Sequence, residues 1–143
     1  VTIVPPRSAG GSLLPARPRI SPDGKWVAFV DETVSQVHVR SLSGTGSIQV
    51  SDEGGGYAVW GPRESQLFYG FDGLVEADLA VSPLLTVRRR QRVETWSPGE
   101  RLVDISTDGK IFLIHQPTTE GPQALVALHW GASLPRRTSG QAN

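Results

Sequence analysis

The chain has 143 residues and a mass of 15.4 kDa, the size of a single domain that can bury about two-thirds of its unfolded surface. Fourteen Lys and Arg balance fourteen Asp and Glu, so attraction of the whole molecule to nucleic acid or to an anionic membrane is not expected. There is no cysteine for disulfides, thiol catalysis or thiolate metal sites, and no stretch nears the ~20 apolar residues of a membrane helix.

Sixteen Gly and eleven Pro punctuate a chain that also holds fifteen Val, six Ile and nine Thr. Closely spaced turn formers among β-branched residues favour a turn-rich all-β domain. The sequence begins at Val1 and contains no Met, which reads as a piece of something longer or processed. Val1–Val4 is β-prone and stops at Pro5-Pro6, and residues 5–17 form a Ser/Gly/Pro-rich linker.

The first unit spans 18–51. A strand ending near Ser21 meets Pro22-Asp23-Gly24, and an apolar run follows from Trp26 to Val30. Asp-Gly favours a tight hairpin, because Gly tolerates positive φ and Asp can bond its own backbone. Val37-His38-Val39 alternates as a third strand would, and Ser47–Val50 supplies a fourth before Ser51-Asp52-Glu53-Gly54-Gly55-Gly56. The second unit, 57–92, offers Tyr57–Trp60, Gln66–Tyr69, Leu74–Leu79 and Leu84–Arg88, with Asp72-Gly73 as its middle turn. The third, 101–130, offers Leu102–Ile105, the Asp108-Gly109 turn, Ile111–His115 and Ala124–Trp130; residues 131–143 form a polar tail. Val1–Val4 is then the candidate closing strand, giving twelve strands in three sheets.

An internal repeat ties the units together. Residues 19–29, from Arg19-Ile20-Ser21-Pro22-Asp23-Gly24-Lys25 to Phe29, return as residues 104–114, from Asp104-Ile105-Ser106-Thr107-Asp108-Gly109-Lys110 to Ile114. A weaker copy runs from Val59-Trp60-Gly61-Pro62 to Tyr69. The apolar anchors Ile20, Trp60 and Ile105 stand 40 and 45 residues apart, a period that belongs to four-stranded propeller blades.

Over residues 15–130 the chain resembles the WD40-like repeats of TolB-type six-bladed β-propellers. The resemblance rests on Ile20–Phe29, Val37-His38-Val39-Arg40 and Gly61–Tyr69, and is nearest to the C-terminal blades that follow bacterial serine/threonine kinase domains. The second unit departs from the pattern by lacking Asp-Gly, the third by having Thr107 in place of Pro. No Gly-rich phosphate loop and no His-Arg-Asp loop are present, so the kinase half is missing. The resemblance implies an extracytoplasmic recognition or scaffolding module without catalytic residues. Three blades are half a ring. Completion could come from a longer parent chain, from a second copy in a homodimer with Val1–Val4 swapped into the partner's third blade, or from head-to-tail stacking in an open array. The alternative reading is a propeller cap or sensor domain of a larger enzyme, a serine peptidase or serine/threonine kinase, whose catalytic domain lies elsewhere.

The chemistry-bearing residues are few. His38, His115 and His129 have no metal-ligand spacing, and no Gly-x-Ser-x-Gly elbow occurs. Neither metal nor cofactor is expected. Asp23, Gly24, Asp72, Gly73, Asp108 and Gly109 read as structural turns rather than calcium loops. The run Arg88-Arg89-Arg90-Gln91-Arg92 would suit a nucleic-acid or phosphate patch, but it lacks interleaved aromatics and reads rather as a solvated edge at a strand end, with Arg88, Arg89, Arg90 and Arg92 also candidates for a partner contact. Trp26 and Trp60 belong between sheets. Trp96, in a loop among turn formers with Arg92 and Arg101 nearby, is the aromatic expected to be exposed and to anchor a partner.

Overall fold

A computed structural model of the protein describes residues 16–81, 84–116 and 123–128. The expected closing strand at 1–4, residues 5–15 of the linker, His129, Trp130 and the tail at 131–143 lie outside the described residues.

The described residues form eleven strands and no helix. Sheet 1 contains β1 (Ala16–Ile20), β2 (Trp26–Asp31), β3 (Gln36–Ser41) and β4 (Ser47–Gln49). Sheet 2 contains β5 (Gly56–Trp60), β6 (Gln66–Gly70), β7 (Leu74–Ala80) and β8 (Thr86–Glu94). Sheet 3 contains β9 (Arg101–Ile105), β10 (Ile111–Gln116) and β11 (Gln123–Leu128). Each sheet is an antiparallel meander in chain order, none closed on itself.

The first and eighth strands differ most from the sequence reading, and several other ends differ by one residue. Ala16 and Arg17, placed in the linker, belong to β1, where Ala16 pairs with Val30. The fourth strand of the second unit is Thr86–Glu94 rather than Leu84–Arg88, and the arginine run forms its middle. β8 is an edge strand whose side chains are mostly in water, so charge does not terminate it. Its Arg89 pairs with Asp78 across the β7–β8 ladder, and opposite charges at facing positions favour pairing.

The turns explain the hairpins. At the β1–β2 turn Ser21 Oγ donates to Asp23 Oδ1 (2.5 Å) and accepts from Trp26 N (3.0 Å), while Asp23 Oδ1 also takes Lys25 N (3.1 Å). Gly24 sits at φ 72°, the left-handed region. The β9–β10 turn repeats this network atom for atom with Ser106, Asp108, Gly109 and Lys110, and Gly109 also has φ 72°.

Sheet 2 lies between the other two. Toward sheet 1 it presents Ala58, Trp60, Leu67, Tyr69, Ala77 and Leu79, which close on Ala28, Val30, Val37, Val39 and Val50. Toward sheet 3 it presents Val59, Phe68 and Leu74, which meet Leu102 and Phe112; the Phe68 and Phe112 rings contact edge to face with centroids 5.3 Å apart. Alternation along β5 and β6 therefore feeds two cores from one sheet. Trp60 is 8 % exposed and Trp26 packs partly buried on the first core.

Ile20, an apolar anchor by its place in the repeat, is 64 % exposed. Its direct partner across the ladder is Val27, so it points to the side of sheet 1 away from sheet 2. On that side Val27 and Phe29 are buried, and the Phe29 ring stacks on His38 at 5.6 Å.

Candidate functional site

β1, β5 and β9 all begin at one end of the molecule, and the β2–β3 turn, the β6–β7 turn and both crossovers between sheets lie there too. Each of these three strands is an edge of its sheet, and β5 packs against both β1 and β9. Three edge strands therefore converge at this end.

Two bulges shape the convergence. The β1–β2 register shifts between Ala16 and Arg19, and the β5–β6 register shifts between Gly56 and Val59. Within these shifts Arg17 (φ 56°) and Tyr57 (φ 54°) adopt the left-handed conformation. That geometry costs a non-glycine residue about 1–2 kcal/mol and persists only where the surroundings enforce it. A bulge re-aims the side chain it carries. Here the Arg17 guanidinium lies 3.9 Å from the Tyr57 ring centroid, and the Arg101 guanidinium lies 5.5 Å from it. Arg101 Nη1 also donates to the Tyr57 hydroxyl at 2.7 Å. One residue from the start of each sheet thus meets in a single cation–π cluster.

Beside Tyr57 opens a cleft of about 210 Å³ lined by Phe71, Asp72, Trp96, Glu100 and Arg101. Its walls depend on two glycines. At Gly73 (φ 141°) a Cβ would fall 2.1 Å from the Glu94 carbonyl oxygen, and at Gly70 a Cβ would fall 2.9 Å from the Trp96 ring. Trp96 is half-buried rather than exposed: its ring fills the space over Gly70 and packs against the second core. Its indole Nε1 is buried with no hydrogen-bond partner. Glu100 is committed to its own turn, accepting from Ser97 N at 2.8 Å, and Asp72 is paired with Arg92 at 3.6 Å.

The structure separates the arginine run. Arg90 reaches Asp52 (3.6 Å) and the Val50 carbonyl, and Arg92 reaches Glu53 (3.7 Å) as well as Asp72. Arg89 donates to Gln91 on the opposite face of β8, where Arg63 pairs with Glu76 at 2.7 Å, and Arg88 is exposed. The run is therefore divided between two faces, with Arg90 and Arg92 ion-paired and Arg88 and Arg89 without an ion pair among the described residues, and only Arg92 borders the turn that shapes the cleft. Arg17 and Arg101 likewise have no carboxylate at salt-bridge distance among the described residues.

The remaining candidates lie elsewhere. Asp23, Gly24, Asp108 and Gly109 occupy hairpin turns at the opposite end, and the Ser21 and Ser106 hydroxyls hold both carboxyls below the usual range. Asp72 (φ 47°) and Gly73 form the β6–β7 turn at the cleft. Burial lowers the pKa of His38, opposed by the Asp31 carboxylate; His115 is half-buried with Nδ1 unpartnered. Among the described residues no group of three His, Asp or Glu could hold a metal ion. Of the cluster, the sequence pointed to Arg101 only through its nearness to Trp96. Arg17 and Tyr57 were readable as one signal, since each stands three residues before its repeat anchor, Ile20 or Trp60.

Neither a protein-family model nor a curated protein matches this chain.

Proposed function

We propose that the three sheets are consecutive blades of a TolB-like β-propeller. In this reading the protein is a non-catalytic, self-assembling binding module, two copies of which complete a six-bladed ring. The observation that carries this is the phase of the repeat. Trp60 packs on the sheet before its own and Ile105 packs on the sheet before its own, whereas Ile20, the same position in sheet 1, is 64 % exposed. At the other terminus, Ile111 (37 %) and Val103 (41 %) lie exposed on the face of sheet 3 turned away from sheet 2. Trp26, the counterpart of Ile111 in sheet 1, packs on the following sheet.

In this reading the exposed Ile20 marks where a preceding sheet meets sheet 1, on a face whose Val27 and Phe29 are already buried, and the exposed Ile111 and Val103 mark where a following sheet meets sheet 3. Such faces complement each other, and with two copies the contact forms twice and closes. The atom-for-atom repetition of the Ser-x-Asp-Gly-Lys turn in sheets 1 and 3 supports treating them as copies of one blade.

Light-scattering mass over a dilution series tests the proposal. Twice 15.4 kDa is expected, falling to 15.4 kDa in Ile20→Glu, a change the exposed position tolerates without unfolding. A wild-type mass of 15.4 kDa throughout would overturn the ring and direct attention to blades from a longer chain. Growth with concentration beyond the dimer would replace the ring with an open array.

A further inference from the structure

We infer that the Arg17–Tyr57–Arg101 cluster and the adjoining cleft form a recognition site for an acidic peptide, with a carboxylate on the guanidiniums and a neighbouring apolar side chain in the cleft. Three independent features converge on it. Arg17 and Arg101 have no acidic partner at salt-bridge distance among the described residues; the exposed Arg19, Arg88 and Arg89 lack one too, but only Arg17 and Arg101 are gathered on one ring, that of Tyr57. Asp72 and Glu100, the two acids lining the cleft, are occupied by Arg92 and by Ser97 N, which leaves Glu32, beside Arg17, as the remaining acid there. Guanidiniums without an acidic partner keep N–H donors that pair with carboxylates through charge-assisted, often bidentate hydrogen bonds.

The second feature is the backbone. Arg17 and Tyr57 both occupy the left-handed region within bulges, and both side chains are delivered to one place. Strain retained twice at equivalent repeat positions marks preorganisation, and bulges also blunt an edge strand against simple strand addition. Readout is therefore through side chains. The third feature is the cleft: about 210 Å³ floored by the Trp96 ring and by Phe71, which is itself 37 % exposed. This is room for one large apolar side chain next to a charge. A fixed aromatic floor with arginine beside it is the composition of a binding hot spot.

The test is an amide NMR titration of the full chain with the capped peptide Glu-Leu-Glu-Leu, its Gln-Leu-Gln-Leu counterpart, and inorganic phosphate. Saturable shifts at Gly70, Phe71, Gly73 and the Trp96 indole are expected with the acidic peptide. The Gln peptide should bind about tenfold more weakly, Arg101→Gln should weaken the acidic peptide about tenfold, and Arg17→Gln should do so about three- to tenfold. Arg63→Gln, at the opposite end, should leave the affinity unchanged. Because Arg101 also holds Tyr57, urea denaturation of each variant establishes that it is folded, and Arg17→Gln carries the test should Arg101→Gln unfold. Equal binding of both peptides, affinity indifferent to the folded arginine variants, or phosphate reproducing the shifts while the acidic peptide binds no tighter would overturn the inference. The site lies within one copy, so it stands or falls independently of the oligomeric state.

Discussion

The indole N–H of Trp60 donates a 2.9 Å hydrogen bond to the carbonyl of Arg19, joining the last residue of β5 to the penultimate residue of β1. The bond works together with burial: the ring is 8 % exposed in the core between sheets 1 and 2. Trp60→Phe keeps most of the apolar contact and loses the donor, and should cost about 1–3 kcal/mol. Trp60→Ala also opens a cavity and should cost about 3–5 kcal/mol. Urea unfolding curves of the two variants measure the difference. A negligible loss in Trp60→Phe would show that packing alone connects the sheets, whereas equal losses would assign the connection to the donor.

Gly73 and Gly46 should respond to alanine in opposite ways. Gly73 has φ 141°, and a Cβ there would sit 2.1 Å from the Glu94 carbonyl oxygen, so the β6–β7 turn must rearrange. Gly73→Ala should cost more than about 2 kcal/mol and disturb the cleft beside it. Around Gly46 nothing lies within 4 Å of the added carbon, and its φ is not in the left-handed region. Gly46→Ala should gain about 0.4–1 kcal/mol by restricting the unfolded chain. Thermal melts of both variants against wild type decide the matter.

The hairpins were legible because their determinants are local. Asp23-Gly24 and Asp108-Gly109 build their turns from hydroxyl and carboxylate bonds spanning five residues or fewer. Alternation in Val37-His38-Val39 likewise reports a half-buried strand from its own sequence. β8 was misread because a solvated edge strand has no apolar pattern to announce it, and its register comes from β7. The position of Trp96 depends on a missing side chain at Gly70, far away in sequence, so its own loop-like neighbours indicated exposure. The Tyr57 cluster depends on the packing of three sheets. Only its spacing from the repeat anchors left a trace.

Acid should weaken the fold in two windows. Burial beside Phe29 depresses the pKa of His38 below 6.5, with Asp31 opposing in part. A depressed folded pKa means that the unfolded chain takes up the proton first. The stability present above 6.5 is therefore lost as pH falls through the depressed value. Asp23 and Asp108 act in the same direction lower down, losing their contribution as pH falls from 3.8 through their depressed values. His38→Phe retains a ring against Phe29 and should flatten the stability profile between about pH 7 and 5 while leaving the lower window in place. An unchanged slope in that variant would assign the upper window to another group.

Alkali should act through Tyr69. Its side chain is 2 % exposed, and burial first, then the Asp52 carboxylate, push the phenol up to about 12. A raised folded pKa reverses the sign: stability is full below the ordinary value of 10.0 and is lost as pH rises from there through about 12. The chain has two tyrosines, so Tyr57→Phe leaves Tyr69 as the sole phenol and its absorbance can be titrated directly. A midpoint near 12, coincident with loss of β-sheet circular dichroism, is expected. Asp52→Asn in the same background should bring the midpoint down by removing a neighbouring negative charge, although Arg90 loses its ion pair in the exchange. A midpoint at 10.0 with the sheet signal intact would mean that water reaches the phenol and that sheets 1 and 2 do not close over it.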